Sequence, residues 1–287
     1  MLDFPIGVML DSFRTDIDQA ISLAAELGVQ GVQAYAVDGE MKPVNLPSSR
    51  RKEIYDRITA SGMEVAAICG DLGGQGFTRK EENQWKIEES MRIMDLALDL
   101  CCNVVTTHIG VVPADKNSQR YETLLGACQT LGDFAQSAGA AFAIETGPEQ
   151  PSVLRSFLDE VGSAGMRVNY DPANLVMVTG CDPTAGVYEL KDYIIHTHAK
   201  DGIMLKKTDP QIIYDYFAEG GIEDMNLKEY FLETPLGQGN VDFDAYLEAL
   251  TEIGYHGFLT IERELGSQPI RDLEQAVYFL YGKQGEV

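Results

Sequence analysis

Short β-rich runs alternate with longer amphipathic stretches along nearly the whole of this 287-residue chain. Apolar and β-branched residues dominate each run, and a glycine such as Gly139 or Gly254 often ends the helix-like stretch between two runs. Eight runs can be counted, at residues 4–10, 31–37, 63–71, 103–110, 140–147, 166–174, 194–202 and 257–264. Regular β–α alternation predicts a parallel sheet covered by helices.

Two architectures satisfy this alternation, an open doubly wound sheet and a closed (β/α)8 barrel of the TIM type. The open sheet usually carries G-x-G-x-x-G after its first strand, and the chain lacks that motif there. A closed barrel of eight units typically occupies about 250 residues as one domain. We therefore predict a single α/β domain over residues 1–287, folded as a (β/α)8 TIM barrel.

One connection is much longer than the others and interrupts the regular spacing. Residues 203–240 separate the seventh run from its helix, whereas such loops usually have about 2–6 residues. A helix-like segment, 209–221, lies inside this connection. Because long loops at the active rim of a barrel shape substrate pockets, we predict a lid or pocket wall, with a dimer contact as the alternative. The glycine-rich stretch 70–76 is expected to form a flexible loop over the same rim.

Composition narrows the choice of partners and compartment. The formal net charge is −23, and nucleic-acid binding needs basic side chains to neutralise phosphates, so no nucleic acid is expected. The N-terminus has no basic leader, and no apolar stretch reaches the roughly 20 residues of a bilayer span. This predicts a cytoplasmic protein with no membrane partner. Five cysteines without a C-x-x-C pair indicate buried free thiols rather than a zinc knuckle or a disulfide framework.

Four potential metal ligands stand at the ends of the last four runs, and they are Glu145, Asp171, His198 and Glu262. The carboxyl ends of barrel strands meet at one rim, which is where the active sites of such barrels lie. Carboxylates and an imidazole form a mixed donor set suited to Mn²⁺, Mg²⁺, Co²⁺ or Zn²⁺. The sequence thus predicts one divalent metal ion; these donors alone do not choose among the four ions, and Mn²⁺ is our first expectation.

Side-chain alternation places further polar groups on the inner face of the seventh run. His196, His198 and Lys200 lie two residues apart, so they share one face of a strand. Burying imidazole and ammonium groups without partners is costly, which favours a functional site over passive packing. His108 ends the fourth run, where it either joins the site or hydrogen-bonds a loop.

Two further features are candidate contacts for a substrate or its phosphate. Arg263 follows Glu262 directly and points away from it unless the strand has already ended. A salt bridge with a loop carboxylate explains Arg263 equally well, which makes Lys200 the stronger candidate. The glycines of the segment 237–239 could offer backbone N–H groups to a phosphate.

At these residues the chain resembles the xylose isomerase-like TIM-barrel superfamily, which includes sugar phosphate isomerases and epimerases, ketose 3-epimerases, inosose dehydratases and AP endonucleases of the endonuclease IV type. The resemblance spans essentially the whole chain and is nearest to the ketose 3-epimerases. It rests on A-I-E-T-G ending at Gly147, N-Y-D-P-A-N-L from Asn169, H-T-H-A-K-D-G from His196, L-G-Q-G-N-V-D-F from Leu236 and L-T-I-E-R-E from Leu259. In those epimerases two glutamates, an aspartate and a histidine bind one divalent metal, which implies that role for the four ligands above.

The resemblance implies a metal-dependent isomerase or epimerase of sugars or sugar phosphates. A metal that binds neighbouring carbonyl and hydroxyl oxygens would acidify the C–H between them and stabilise an enediolate. Glu145 and Glu262 would then act as catalytic base and acid on opposite faces of the substrate. Five other side chains are the expected substrate contacts, namely His108, Asn174, His196, Lys200 and Arg263.

One position departs from the epimerase pattern. D-x-x-H commonly follows the sixth strand in those enzymes, whereas this chain reads D-P-A-N and has Asn174 there. Asparagine can donate and accept hydrogen bonds but cannot become a cation. The four histidines are also too few for the three-metal cluster of the AP endonucleases. A metal-dependent lyase of the inosose dehydratase type and a non-catalytic sugar-binding barrel stay open as alternatives, and so does a homo-oligomer.

Overall fold

The computed structural model describes residues 4–222 and 225–285, and within them the chain forms ten strands and ten α-helices. The strands are β1 (Ile6–Met9), β2 (Gly31–Tyr35), β3 (Glu64–Cys69), β4 (Val104–Thr107), β5 (Ala141–Glu145), β6 (Met166–Tyr170), β7 (Ile194–Ala199), β8 (Asp201–Met204), β9 (Phe231–Thr234) and β10 (Leu259–Ile261). The helices are α1 (Ile17–Glu26), α2 (Ser48–Ala60), α3 (Lys80–Asp99), α4 (Gln119–Ala138), α5 (Pro151–Val161), α6 (Pro172–Asn174), α7 (Pro183–Leu190), α8 (Pro210–Ala218), α9 (Phe243–Glu252) and α10 (Pro269–Gln284). A π-helical turn, Leu175–Thr179, continues α6.

Eight of these strands close into a parallel barrel in the order β1, β10, β7, β6, β5, β4, β3, β2. Strand β1 pairs with both β2 and β10, which joins the first and last barrel strands and closes the ring. Each barrel strand lies inside one of the eight predicted β-rich runs. The predicted (β/α)8 TIM barrel is therefore confirmed.

Helix α5 shows how the sequence sets the outer layer of the barrel. Its buried apolar residues Leu154, Phe157, Leu158 and Val161 recur at the spacing that lines one face of a helix. Pro151 opens the helix, where its missing N–H is not needed, and Gly162 ends it in a left-handed conformation. The apolar face of α5 packs into the core between the helices and the sheet.

The long connection 203–240 is an insertion whose described parts contain regular secondary structure. Strands β8 and β9 pair antiparallel as a hairpin outside the barrel, with Asp201 opposite Thr234 and Met204 opposite Phe231. Helix α8 lies between them and falls inside the helix-like segment predicted at 209–221. The hairpin was not predicted, because only Lys200 separates the end of β7 from the start of β8 and the two strands read as a single run in the sequence.

Asp201 fastens both ends of this insertion through four backbone hydrogen bonds. One carboxylate oxygen accepts from the N–H groups of Gly202 and Val241 at 2.8 and 3.1 Å. The other accepts from Gly237 and Gly239 at 3.0 and 2.8 Å. A Cβ at position 239 would lie 2.1 Å from the carboxylate, so only glycine allows this approach. The expectation that segment 237–239 offers these N–H groups to a phosphate is therefore wrong.

The structure also bears on the membrane and thiol predictions. In the part of the chain from 4 to 222 and from 225 to 285, no helix is both long enough and apolar enough to cross a membrane. All five cysteines are free thiols, of which Cys69, Cys102 and Cys128 are buried. The expectation of buried thiols is thus confirmed for these three, whereas Cys101 is exposed.

Replacing Asp201 by asparagine should destabilise the fold. The change keeps the shape of the side chain but turns an NH₂ group toward backbone N–H donors, which leaves buried donors without an acceptor. We expect the free energy of unfolding from urea denaturation to fall by roughly 2–4 kcal/mol. Asp133→Asn, on the exposed face of α4, is the matched control and should change it by less than ~0.5 kcal/mol. Equal effects of the two substitutions would contradict the role of Asp201.

Candidate metal centre

The four predicted ligands converge at the carboxyl end of the barrel, and all four are buried. Glu145 ends β5, His198 lies near the end of β7, and Asp171 and Glu262 directly follow β6 and β10. One donor atom from each lies within 4.8 Å of the others. The Nδ1 atom of His198 faces all three carboxylates, at 3.3 Å from Glu262, 3.5 Å from Asp171 and 3.6 Å from Glu145.

Two buried atoms at the centre of this cluster, Nδ1 of His198 and Oδ2 of Asp171, have no hydrogen-bond partner among the residues that the structure describes. Buried polar atoms nearly always have a partner. A nitrogen and a carboxylate oxygen that face each other without one therefore indicate a site for a bound ligand. The donor set combines one imidazole with three carboxylates, which suits a divalent cation. The cluster can therefore hold the single divalent ion that the sequence predicts.

The D-P-A-N segment explains how Asp171 is oriented. Asp171 is the N-cap of α6, where its Oδ1 atom accepts a hydrogen bond of 2.8 Å from the N–H of Asn174. The hydroxyl of Thr146 accepts from the N–H of Asp171 at 2.8 Å and donates to its carbonyl at 2.9 Å. One carboxylate oxygen thus holds the local fold, and the other is left for a metal ion.

A buried glutamine, Gln33 of β2, contacts His198 from inside the barrel. The side-chain oxygen of Gln33 lies 3.2 Å from Nε2 of His198 and 3.0 Å from Nε2 of His196. The amide nitrogen of Gln33 donates to Thr106 at 2.9 Å, which orients the oxygen toward the two histidines. Nδ1 faces the carboxylates, and Nε2 of His198 lies 3.2 Å from both the Gln33 oxygen and the Asn169 amide nitrogen, the kind of outer support that metal-binding histidines usually have.

His196 is buried and points into the barrel, as alternation predicts, but it lies one layer deeper than His198. Burial and the neighbouring His198 lower the pKa of His196 well below its usual value, so the ring is neutral. It does not line the cavity described below. The substrate contact expected for His196 is therefore corrected to support of His198 through Gln33.

A cavity of about 470 Å³ opens above the cluster. Lys200 lines it, and its ammonium group lies 2.8 Å from Oε2 of Glu262 and also pairs with Glu264. Burial opposes the positive charge, but these two carboxylates raise the pKa of Lys200 well above its usual value. Lys200 therefore stays protonated beside one of the two candidate catalytic glutamates.

The other glutamate also has donor groups beside it. His108 lines the cavity, with Nδ1 at 3.0 Å from Asp71 and Nε2 at 3.7 Å from Glu145. Burial opposes a charge on His108, but Glu145 and Asp71 raise its pKa to about 10. The amide nitrogen of Asn174 donates to Glu145 at 3.0 Å. The structure thus brings His108, Asn174 and Lys200 to the cavity, as the sequence predicts.

Arg263 does not reach the cavity wall. Its guanidinium is nearly buried and pairs with Glu233 at 2.5 Å and with Asp272 at 2.9 Å. Glu233 also accepts hydrogen bonds from the N–H groups of Glu264 and Leu265, so the ion pair anchors the loop after β10. The substrate contact expected for Arg263 is therefore corrected to the salt bridge that was its alternative.

The insertion and the glycine-rich loop meet over the cavity. Gln75 donates to Asp215 of α8 at 2.9 Å, and Arg79 pairs with Glu219 at 2.9 Å. The buried ammonium group of Lys86 donates to two carbonyls of the loop 70–76, so this loop is held in place. The insertion forms the pocket wall that the sequence predicts, whereas the flexibility expected of the loop stays a prediction.

Several residues of this site were not predicted from the sequence. Apart from the Tyr35 hydroxyl, Gln33 is the one polar side chain in the run 31–37, which was the available signal, and Asn169 of β6 donates to Glu145 at 3.2 Å. Asp71 follows the end of β3 by two residues, and its carboxylate lies 3.0 Å from Nδ1 of His108, which orients that ring. Tyr214 of α8 stands over the site, where its hydroxyl would lie 1.8 Å from a Cβ at Gly147. The glycine of the E-T-G motif thus makes room for Tyr214.

The fold and the buried cluster define a TIM barrel with a candidate metal centre at its carboxyl rim. Residues 21–282 match the model of a family described as xylose isomerase-like TIM barrel, and the chain belongs to that family. A xylose isomerase domain protein from Planctomyces limnophilus is similar over 99% of this chain and 98% of its own, with 27% identity and a TM-score of 0.80.

More distant structures share the fold alone. A probable 3-DHS dehydratase from Bacillus anthracis has 16% identity and a TM-score of 0.75 over 96% of this chain and 98% of its own. A D-tagatose 3-epimerase-like protein has 17% identity and a TM-score of 0.75 over 98% of this chain and 97% of its own.

A relative is also similar in sequence. An uncharacterised protein of Methanocaldococcus jannaschii is 26% identical over 181 residues, 58% of this chain. That match spans about half (53%) of the relative's length.

Adding Mn²⁺ to chelator-treated protein should raise its thermal unfolding temperature. A ligand that binds only the folded state stabilises it by about 2.7 kcal/mol at roughly 100 times its dissociation constant. Asp171→Asn keeps a capping oxygen but loses the anionic ligand. We therefore expect Mn²⁺ to raise the unfolding temperature of this variant much less, and metal analysis to find little bound metal. Asp182→Asn, at the N-cap of α7 outside the cluster, is the matched control and should keep both. Equal Mn²⁺ stabilisation of the two variants would contradict the assignment.

Glu149 should make the stability of the protein depend on pH. The side chain is buried, and its carboxylate accepts a 2.6 Å hydrogen bond from the N–H of Val112. Burial raises the pKa of Glu149 to about 7 from the usual 4.5. The folded state therefore binds the proton more tightly than the unfolded state does. The free energy of unfolding should fall as pH rises from 4.5, the usual pKa, through about 7, the pKa in the folded protein.

Glu149→Gln removes this ionisation while it keeps an oxygen for Val112. We expect the variant to gain stability relative to wild type, and to gain ~2 kcal/mol more at pH 8 than at pH 5. Urea denaturation of both proteins at the two pH values measures this difference. A gain that does not change with pH would show that Glu149 titrates normally.

Proposed function

We propose that the protein is a metal-dependent isomerase or epimerase that moves a proton next to the carbonyl group of a sugar. The observation that carries the proposal is the placement of two buried glutamates, Glu145 and Glu262, at the floor of one cavity. They end β5 and follow β10, which flank β6 and β7 in the barrel, so they lie on either side of Asp171 and His198. Two carboxylates so placed can reach two faces of one substrate carbon.

The four ligands would hold the divalent ion through the atoms that converge on Nδ1 of His198. When bound, such an ion supplies Lewis acidity that makes the C–H next to a substrate carbonyl more acidic. Lys200 and His198 favour the ionised form of Glu262, whose pKa lies below its usual value despite burial. An ionised Glu262 can accept a proton at its free oxygen, and Asn174 and His108 orient Glu145 on the other side.

The fate of the proton distinguishes the outcomes that this geometry allows. If one glutamate removes the proton and the other returns one to the opposite face of the same carbon, the carbon is inverted. If the proton returns to the neighbouring carbon, an aldose and a ketose interconvert. The fold supports both outcomes, and a D-tagatose 3-epimerase-like protein is among its structural neighbours.

A lyase is the second candidate, and Lys200 is the observation that favours it. Its protonated amine lines the cavity beside Glu262, where it could give a proton to a leaving hydroxyl group. A probable 3-DHS dehydratase shares the fold. Such a reaction would start with the same proton removal and end with loss of water.

Incubation in D₂O separates these functions. With Mn²⁺ present, wild-type protein should introduce deuterium at one carbon of a ketose or ketose phosphate, whereas a lyase should convert an inosose to a dehydrated product. Glu145→Gln and Glu262→Gln should each reduce the exchange rate by about 10²-fold or more. Glu248→Gln on the exposed side of α9 is the control and should leave the rate unchanged. Absence of both exchange and dehydration across these substrates would overturn the proposal.

A further inference from the structure

The cavity is larger than a single sugar requires. Its volume is about 470 Å³, and it extends from Glu145 and Glu262 outward to the insertion. A hexose displaces roughly the volume of six water molecules, or about 180 Å³. More than half of the cavity therefore stays available for another part of the substrate.

The outer part of the cavity has an apolar and aromatic wall. Tyr214, Tyr216 and Phe217 of α8, Phe231 of β9 and Leu265 after β10 line it. Phe217 is 60% exposed and Leu265 is 46% exposed, although both border the cavity. Large apolar side chains grouped at the mouth of a cavity favour an apolar ligand group, because such a group would remove their surface from water.

The charges around the cavity disfavour a phosphate. Within the described residues three cationic side chains line the wall, and two of them are already paired. Lys200 pairs with Glu262 and Glu264, and the protonated His108 lies between Asp71 and Glu145, which leaves Lys228. Five carboxylates line the same wall, namely Asp71, Glu145, Glu233, Glu262 and Glu264. Arg263 is turned away in its own ion pairs, and Asp201 uses the N–H groups of the 237–239 loop.

We propose that the natural substrate is an uncharged sugar that carries an aromatic substituent, such as an aryl glycoside of a keto-sugar. The sugar ring would lie at the carboxylate end, and the substituent would pack against Phe217 and Phe231. The assignment of the sugar ring rests on the proposed function. The assignment of the substituent rests on the size, the apolar wall and the acidic charge of the cavity.

Two glycosides that differ in one group test the proposal. Methyl and phenyl 3-keto-β-D-glucopyranoside should bind Mn²⁺-treated protein with different affinities in isothermal titration calorimetry. We expect the phenyl compound to bind about tenfold more tightly or better, because its ring buries apolar surface that the methyl group lacks. Fructose 6-phosphate should bind no more tightly than fructose.

A pair of variants locates the effect. Phe217→Ala combined with Phe231→Ala should reduce the phenyl-to-methyl affinity ratio to about threefold or less. Phe217→Ala alone should also lower the ratio, and its exposed position means that the change should not disturb folding. Tyr278→Ala removes a 65% exposed aromatic ring on α10, away from the cavity, and should leave the ratio as in wild type.

Equal affinities for the methyl and phenyl compounds in wild type, or tighter binding of the sugar phosphate, would overturn the proposal. Deuterium exchange measured on the same glycosides separates it from the proposed function. Exchange without a phenyl preference would leave the reaction standing and remove the aromatic substituent. A phenyl preference without exchange would keep the binding assignment and remove the reaction.

Discussion

Mutual repulsion among three buried carboxylates is the condition that the rest of this structure must meet. Glu145, Asp171 and Glu262 bring donor atoms within 4.8 Å of one another where water is largely absent. Two like charges at ~4 Å cost about 4 kcal/mol even at an effective dielectric constant of 20. The closed barrel holds the three strand ends in this arrangement because each strand is hydrogen-bonded on both sides. A divalent cation would turn the repulsion into attraction.

The surrounding donors reduce the repulsion without removing the site's capacity for a metal. Lys200 pairs with Glu262. Both Asn174 and Asn169 donate their side-chain amide to Glu145, and the backbone N–H of Asn174 donates to Asp171. Glu145 accepts at both oxygens and Glu262 at Oε2, whereas Oδ2 of Asp171 and Nδ1 of His198 have no hydrogen-bond partner among the described residues. The polar groups around the cluster thus orient the ligand side chains. The atoms without a partner and the negative charge at the centre still favour binding of a cation.

Much of this could be predicted from the sequence, and the failures have two physical causes. Alternation of apolar runs located all eight barrel strands, and the rule that barrel strands end at one rim located the four ligands. Alternation identifies the face of a strand but not the depth of a residue in the barrel, which depends on how neighbouring strands are staggered. His196 therefore shares a face with His198 and yet lies in the layer below it, against Gln33.

Arg263 and the insertion show the second limit of the sequence. Arg263 pairs with Glu233, thirty residues earlier inside the insertion, and with Asp272, nine residues later in α10. Neither spacing belongs to a strand or helix pattern, so the sequence does not indicate these ion pairs. The β8–β9 hairpin is formed by two short strands more than twenty residues apart, and its first strand continues the run of β7. Long-range pairing of this kind depends on the folded barrel that carries it.

The clamp at Asp201 has a consequence for how this fold can diversify. Because one carboxylate binds the chain both where it leaves the barrel and where it returns, the two ends of the intervening segment are held together whatever the length between them. As long as Glu233 keeps its ion pair with Arg263, the part between β8 and β9 can change in length and composition without moving β7 or β10, which position the ligands. Evolution, or an engineer, can therefore exchange the segment as a cassette, altering which molecules are accepted while the ligand positions of the barrel are inherited intact.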